Sequence, residues 1–171
     1  MMKFFLPLII SLCFIGESIF VELLPEAFST NEKIIVPHFL IVVIIFAAIY
    51  GDRKQGLIYG LIFGLLFDIV YTEIIGIYLF IIPLVTYIAA WMMKLLQTNI
   101  LVVGIVTLIG IALLELGVYE MNFLIGLTRM DFTSYLQVRL LPTLLFNGIF
   151  IAIVAFPLKK FMDSYRRSLN E

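Results

Sequence analysis

The sequence predicts an all-α integral membrane protein, a single domain built as a bundle of six transmembrane helices. Three observations carry that prediction. Of the 171 residues, 63% are hydrophobic and 13% charged, against about 45–50% apolar and about 25% charged in an ordinary soluble domain. A soluble chain of this size still exposes about a third of its surface, so the solvent for this much apolar surface must be lipid. The apolar residues also fall into long runs divided by short polar or proline-containing breaks. Finally, the stretch GLIYGLIFGLLFD, residues 56–68, spaces Gly56, Gly60 and Gly64 four apart and then sets a carboxylate, Asp68, inside an apolar run.

A spanning helix needs about 20 apolar residues, with about 17–25 workable. Segments 4–24, 34–50, 56–72, 74–93, 99–123 and 134–157 meet or nearly meet this. The first run is too long and bulky for a signal peptide, which has a short apolar core and a small-residue cleavage site. Cys13 follows Leu12, where a lipoprotein signal needs a small residue, so the segment is read as a helix and Cys13 as a small apolar residue. Pro25 closes the first helix, Asp52, Arg53 and Lys54 separate the second from the third, and Glu73 marks a very short turn before the fourth. Without that turn the apolar run would far exceed the thickness of a bilayer. Residues 94–98 and 126–133 supply the later breaks, and 158–171 form a basic tail. Pro83 and Pro142 are expected to kink their helices, freeing carbonyls for neighbours or water. Tyr50, Tyr71, Tyr78 and Trp91, near helix ends, fit an interfacial belt.

The third helix carries the clearest packing signal. In water each glycine would destabilise it by about 1 kcal/mol relative to alanine. In lipid the same spacing makes a smooth ridge, because residues four apart share a face and a second backbone can approach it closely. Gly76 follows shortly after the turn. The ridge is either an internal spine or a docking surface for a partner helix, and the sequence leaves both open.

Lys and Arg place the ends. With the N-terminus inside, Lys3, Arg53, Lys54, Lys94, Lys159, Lys160, Arg166 and Arg167 fall on the cytoplasmic side, and Lys33, Arg129 and Arg139 at or near the outer side, eight against three. Six crossings return the C-terminus to the cytoplasm, where the tail is expected to lie on anionic lipid or to meet a cytoplasmic partner.

That topology gathers charge at one level. Glu17, Asp68 and Glu115 come late in outward-running helices, and His38 and Arg139 come early in inward-running ones. An acid at a helix centre costs about 2.5–3.5 kcal/mol on insertion scales, so such groups face the interior and pair. Arg139, whose guanidinium binds carboxylate through two parallel bonds, is the expected partner, with His38 second. These five residues are read as a buried polar cluster, either an outward-facing pocket or a helix-helix contact. The competing expectation is that each acid reaches the outer interface independently, which is the better reading for Glu22 and Glu120. Asn147 and Thr86 are expected to hydrogen-bond between helices.

Several functions are excluded. A net charge of −1 with no basic stripe argues against a nucleic-acid partner. The single histidine comes with no nucleophile elbow to make a Ser-His-Asp set, the single cysteine allows no multi-cysteine metal site, and neither a Walker motif nor HExxH is present. No catalytic residue, cofactor site or metal site is therefore expected, and no enzyme activity.

Pro37 opening the second helix, Gly60 and Gly64 followed by Leu65-Leu66-Phe67-Asp68-Ile69, and Gly76 after the turn resemble the most recognisable stretch of the rod shape-determining MreD family. Length, six-helix hydropathy and the absence of large loops agree across essentially the whole chain. Val36 stands before Pro37 where many members carry an arginine, so a charge at that position does not carry over. The resemblance implies a non-enzymatic scaffold subunit of the bacterial elongation machinery. It would bind the bitopic protein MreC and link MreB filaments to the polymerase RodA and a penicillin-binding transpeptidase, in contact with membrane lipids; self-association is left open. It also implies a fold similar to the substrate-binding subunits of energy-coupling-factor vitamin transporters. That likeness supplies the rival reading, a subunit capturing a small ligand in the polar cluster. Such a subunit should close an aromatic-lined outer loop over its pocket, and residues 25–36 hold only Phe28 as an aromatic residue, which favours the scaffold.

Overall fold

Helix α2, Phe39–Tyr50, is apolar on every side, and all of it except Phe39 and Ile49 is buried. A helix without a polar face finds its place only where other elements surround it. The computed structural model describes residues 5–23, 33–72 and 74–169, and in it α2 is the central post. Around it stand α1 (Phe5–Leu23), α3 (Arg53–Tyr71), α4 (Ile77–Leu95), α5 (Ile100–Leu124) and α6, a continuous helix made of the α-helical turn Phe132–Tyr135, the π-helical segment Leu136–Leu140 and the α-helix Leu141–Leu169. All five pack on α2, and the described residues contain helices and no strand.

Helices α1, α3, α4, α5 and α6 are long and apolar enough to cross a membrane, and their outward faces carry the large apolar side chains that lipid would cover, such as Leu12, Ile62, Phe80, Leu101 and Ile153. This is a multi-pass membrane protein. Helix α2 is shorter. Its 12 residues cover about 18 Å, against a hydrocarbon core of about 30 Å. The expected helix over 34–50 is thus corrected: residues 33–38 are not helical and lead into α2 as a separate arm. Pro37 has no N–H to donate, and its ring disfavours helical geometry at Val36.

Other boundaries differ for local reasons. Asp52 caps α3 through Gln55 N at 3.2 Å, so that helix starts at Arg53 rather than at residue 56. Gly76 has φ +125°, a conformation that L side chains rarely adopt, and this turn delays α4 to Ile77. Helix α6 does not end at Pro157: it runs through it to Leu169. The expected basic tail is therefore a helix with one buried face, where Met162 and Tyr165 join the core and the Tyr165 hydroxyl donates to Gln55 Oε1 at 3.0 Å. Two of the four expected belt aromatics, Tyr50 and Tyr78, are buried in the bundle, while Tyr71 and Trp91 are exposed.

The glycines of α3 set how close its neighbours come. A Cβ on Gly56 would lie 2.5 Å from the Ala48 Cβ of α2, and one on Gly64 would lie 2.6 Å from the Tyr78 carbonyl oxygen of α4. On Gly60 it would meet Pro83 Cα at 3.3 Å. One face of α3 thus touches α2 at its first turn and α4 along the rest. Gly76 lies off this ridge, in the turn, with open space where a Cβ would be.

Candidate functional site

The start of α2 lies inside the protein, and polar side chains from three other helices converge on it. The arm before it cannot use helical bonds, and backbone at membrane depth is tolerated only when the protein itself satisfies it. Helix α6 does so. Pro142 cannot donate to the carbonyl of Val138, four residues back, and Ile34 N–H takes that oxygen at 2.8 Å. Thr143 Oγ1 accepts from Val36 N at 3.2 Å and donates to Ile34 O at 3.4 Å. Asn147 donates to Val36 O at 2.8 Å and accepts from His38 N at 2.9 Å. Alternate residues of the arm are thereby fastened along one face of α6.

Helix α2 has no capping side chain at its own N-cap, His38. Glu17 of α1 supplies it: its Oε1 accepts from Leu40 N at 2.7 Å. The start of α4 is closed in the same way. Asp68, fully buried, accepts from Gly76 N at 2.8 Å and from Tyr78 N and Leu79 N at 2.9 Å. The first N–H groups of a helix have no partner within it, and its dipole favours a negative charge there. Each acid is therefore a cap supplied by the preceding helix, a role usually filled by Ser, Thr, Asp or Asn of the same helix.

The remaining acid, Glu115 of α5, is 2% exposed and bonded on both oxygens. Arg139, in the π-helical segment, donates from Nε to Oε2 at 2.8 Å and from Nη2 to Oε1 at 3.3 Å. Tyr135 O–H donates to Oε2 at 3.2 Å, and His38 Nε2 lies 2.8 Å from Oε1. A carboxylate paired with arginine can only accept, so Nε2 carries the hydrogen. Tyr135 is held in turn by a stack on Tyr119, with ring centroids 4.1 Å apart, and the Tyr119 hydroxyl donates to Met130 O at 2.8 Å. A buried pair is costly to break: removing one partner typically costs about 3–5 kcal/mol.

The family model described as rod shape-determining protein MreD matches residues 2–165. The rod shape-determining protein MreD of Bacillus subtilis (strain 168) is 34% identical over 171 residues, covering 100% of this chain and 99% of that protein. This chain belongs to the MreD family. No solved structure matches it, so the expected likeness to energy-coupling-factor transporter subunits has no support here.

In this MreD-family chain the five expected polar residues do not form one cluster. His38, Glu115 and Arg139 meet, whereas Glu17 and Asp68 are each taken up by a helix start. Arg139 pairs with Glu115 alone, since backbone N–H groups reach the other two acids first. Glu22 and Glu120 are exposed. Asn147 bonds across elements, but Thr86 donates to Ile82 O of its own helix at 2.8 Å, which corrects the expectation of an interhelical bond there. Tyr135 and Thr143 were not anticipated. Tyr135 lies four residues before Arg139 and so shares its helical face, which is the signal that could have found it. Residues 24–32, including Phe28, lie outside the described residues, as does Glu73.

At the opposite end, charge meets aromatic rings. Arg53 sits over the Tyr87 ring, 4.2 Å from its centroid, and Lys159 over Tyr50 at 5.6 Å. These contacts hold cationic side chains against the bundle.

Proposed function

We propose that this chain is a non-enzymatic scaffold subunit of the bacterial cell-elongation machinery, required for rod shape, with both termini cytoplasmic. It binds the single-span protein MreC and so links MreB filaments to RodA and its transpeptidase partner. The observation that carries this reading is the end-to-end likeness to a protein named for rod shape determination. Two features of the chain support it. Glu17, Asp68 and Glu115 are occupied by backbone or side-chain partners, which suits acids that hold a bundle together rather than perform chemistry. Arg53, Lys54, Lys94, Lys159 and Lys160 gather at the Tyr50 end, the charge bias that supports a cytoplasmic side there.

The test has two parts. The gene is expressed in a rod-shaped bacterium depleted of its own family member, and cell width is measured; rods are expected. The tagged full chain is also purified with co-expressed MreC, and the two are expected to elute together. A stable, membrane-inserted chain that neither restores rods nor retains MreC would overturn the proposal. Orientation is read separately with Arg166→Cys in a Cys13→Ala background: an impermeant thiol reagent added to sealed cells should not label it.

A further inference from the structure

Arg139 meets Glu115 along one edge only. The two bonds to the carboxylate use Nε and Nη2, while Nη1 has no partner among the described residues and the side chain is 30% exposed. Arg139 lines two adjoining cavities of about 400 and about 350 Å³, which also share Val118, Asn122 and Leu127. Ligand pockets of about 300–1,000 Å³ are usual.

Beside the guanidinium edge, three polar side chains in these walls still have a hydrogen to donate. The Tyr78 hydroxyl and the Asn122 carboxamide have no hydrogen-bond partner among the described residues. Thr128 Oγ1 accepts from Met130 N at 3.4 Å and keeps its own hydrogen. The one carboxylate in the walls is occupied, because both Glu115 oxygens are bonded by His38, Tyr135 and Arg139. A cavity with a guanidinium edge, a free phenol and a free carboxamide matches a group that accepts several hydrogen bonds and carries negative charge. Ile34, Ile77, Val118 and Leu127 add apolar surface to the wall.

We propose that the cavity beside Arg139 is a binding site for a phosphate-type oxyanion, presented as the headgroup of an anionic lipid. The Nη1 edge holds the oxyanion in the planar fork that arginine offers phosphate. Tyr78 and Asn122 donate to its remaining oxygens, and the apolar wall covers the adjoining hydrocarbon. Glu115 fixes the guanidinium from behind, so the site is pre-formed. This goes beyond the scaffold reading and does not depend on it.

The full chain is purified in detergent and offered phosphatidylglycerol or phosphatidylcholine of the same acyl chains, with retention read by native mass spectrometry. A third arm offers inorganic phosphate alone, with thermal stability as the readout. Phosphatidylglycerol is expected to be retained preferentially, and Tyr78→Phe combined with Asn122→Leu to weaken it by about tenfold, the loss of one to two hydrogen bonds to a charged group. Neither substitution touches the Glu115 pair, and the melting temperature of the lipid-free variant confirms that it is folded. If phosphate alone stabilises the intact chain but not the variant, the oxyanion site stands and its source is a free anion. Equal retention of both lipids with no effect of phosphate, or a preference that the double variant leaves unchanged, overturns the proposal.

Discussion

Leu79 donates its backbone N–H to Asp68 Oδ2 at 2.9 Å, tying the third residue of α4 to the last turn of α3. The same carboxylate takes Gly76 N and Tyr78 N, so one buried side chain closes a helix end and the tight turn that leads to it. The bond works because Gly64 lets the two helices approach, and the Asp68 side chain then reaches across the gap.

Asp68→Ala should leave those N–H groups buried without acceptors and cost about 3 kcal/mol or more, while Asp68→Asn, which keeps one oxygen, should cost less. The midpoint of thermal unfolding in detergent separates the two. Equal losses would mean that the charge, rather than the accepting oxygen, holds the turn.

The glycines should rank by what a methyl group would meet. Gly56→Ala and Gly64→Ala force backbone or an opposing Cβ to move, Gly60→Ala asks Pro83 to give by a few tenths of an ångström, and Gly16→Ala meets nothing within 4 Å. Folded yield after membrane extraction should fall in that order, with Gly16→Ala at the wild-type level. A Gly60→Leu chain that stays folded yet loses MreC would instead make the ridge a docking surface.

Arg139→Ala should cost about 3–5 kcal/mol by leaving the Glu115 charge buried without its guanidinium, held only by His38 and Tyr135. Adding Glu115→Gln should recover part of that, because the orphaned charge is gone. A double-mutant cycle on unfolding midpoints measures the coupling, and strict additivity would mean that the pair contributes nothing.

Asn147→Leu should release the arm before α2 more than it disturbs the rest. The amide of His38 loses its acceptor and the carbonyl of Val36 its donor. Hydrogen exchange resolved to short peptides should therefore rise first over residues 34–38, with α4 and α5 still protected. Uniform acceleration would show that Asn147 supports the whole bundle.

Much of this architecture was legible beforehand. The apolar runs gave six helices in order, with the bounds of α1, α3, α4 and α5 within three residues, because in lipid a spanning segment must satisfy its own backbone and only length and composition decide it. The pairing of Arg139 with an interior acid also followed from the high cost of leaving either alone. The second helix was misread at its start. Residues 34–38 are apolar enough for lipid, and nothing local says that Thr143 and Asn147, more than a hundred positions away, will satisfy their backbone. The basic tail was misread for a similar reason, since the core that buries Met162 and Tyr165 comes from helices distant in sequence.

By itself the sequence determined the solvent, the number of apolar segments and the residues too polar to face lipid, since these are properties of composition along short windows. Which acid would pair with a cation and which would cap a helix was decided only by tertiary structure. An acid in lipid needs partners of opposite polarity, but arginine, histidine and the exposed N–H groups at a helix start all qualify. The choice falls to whichever of them the packing of α2 and the glycine face of α3 bring within bonding distance.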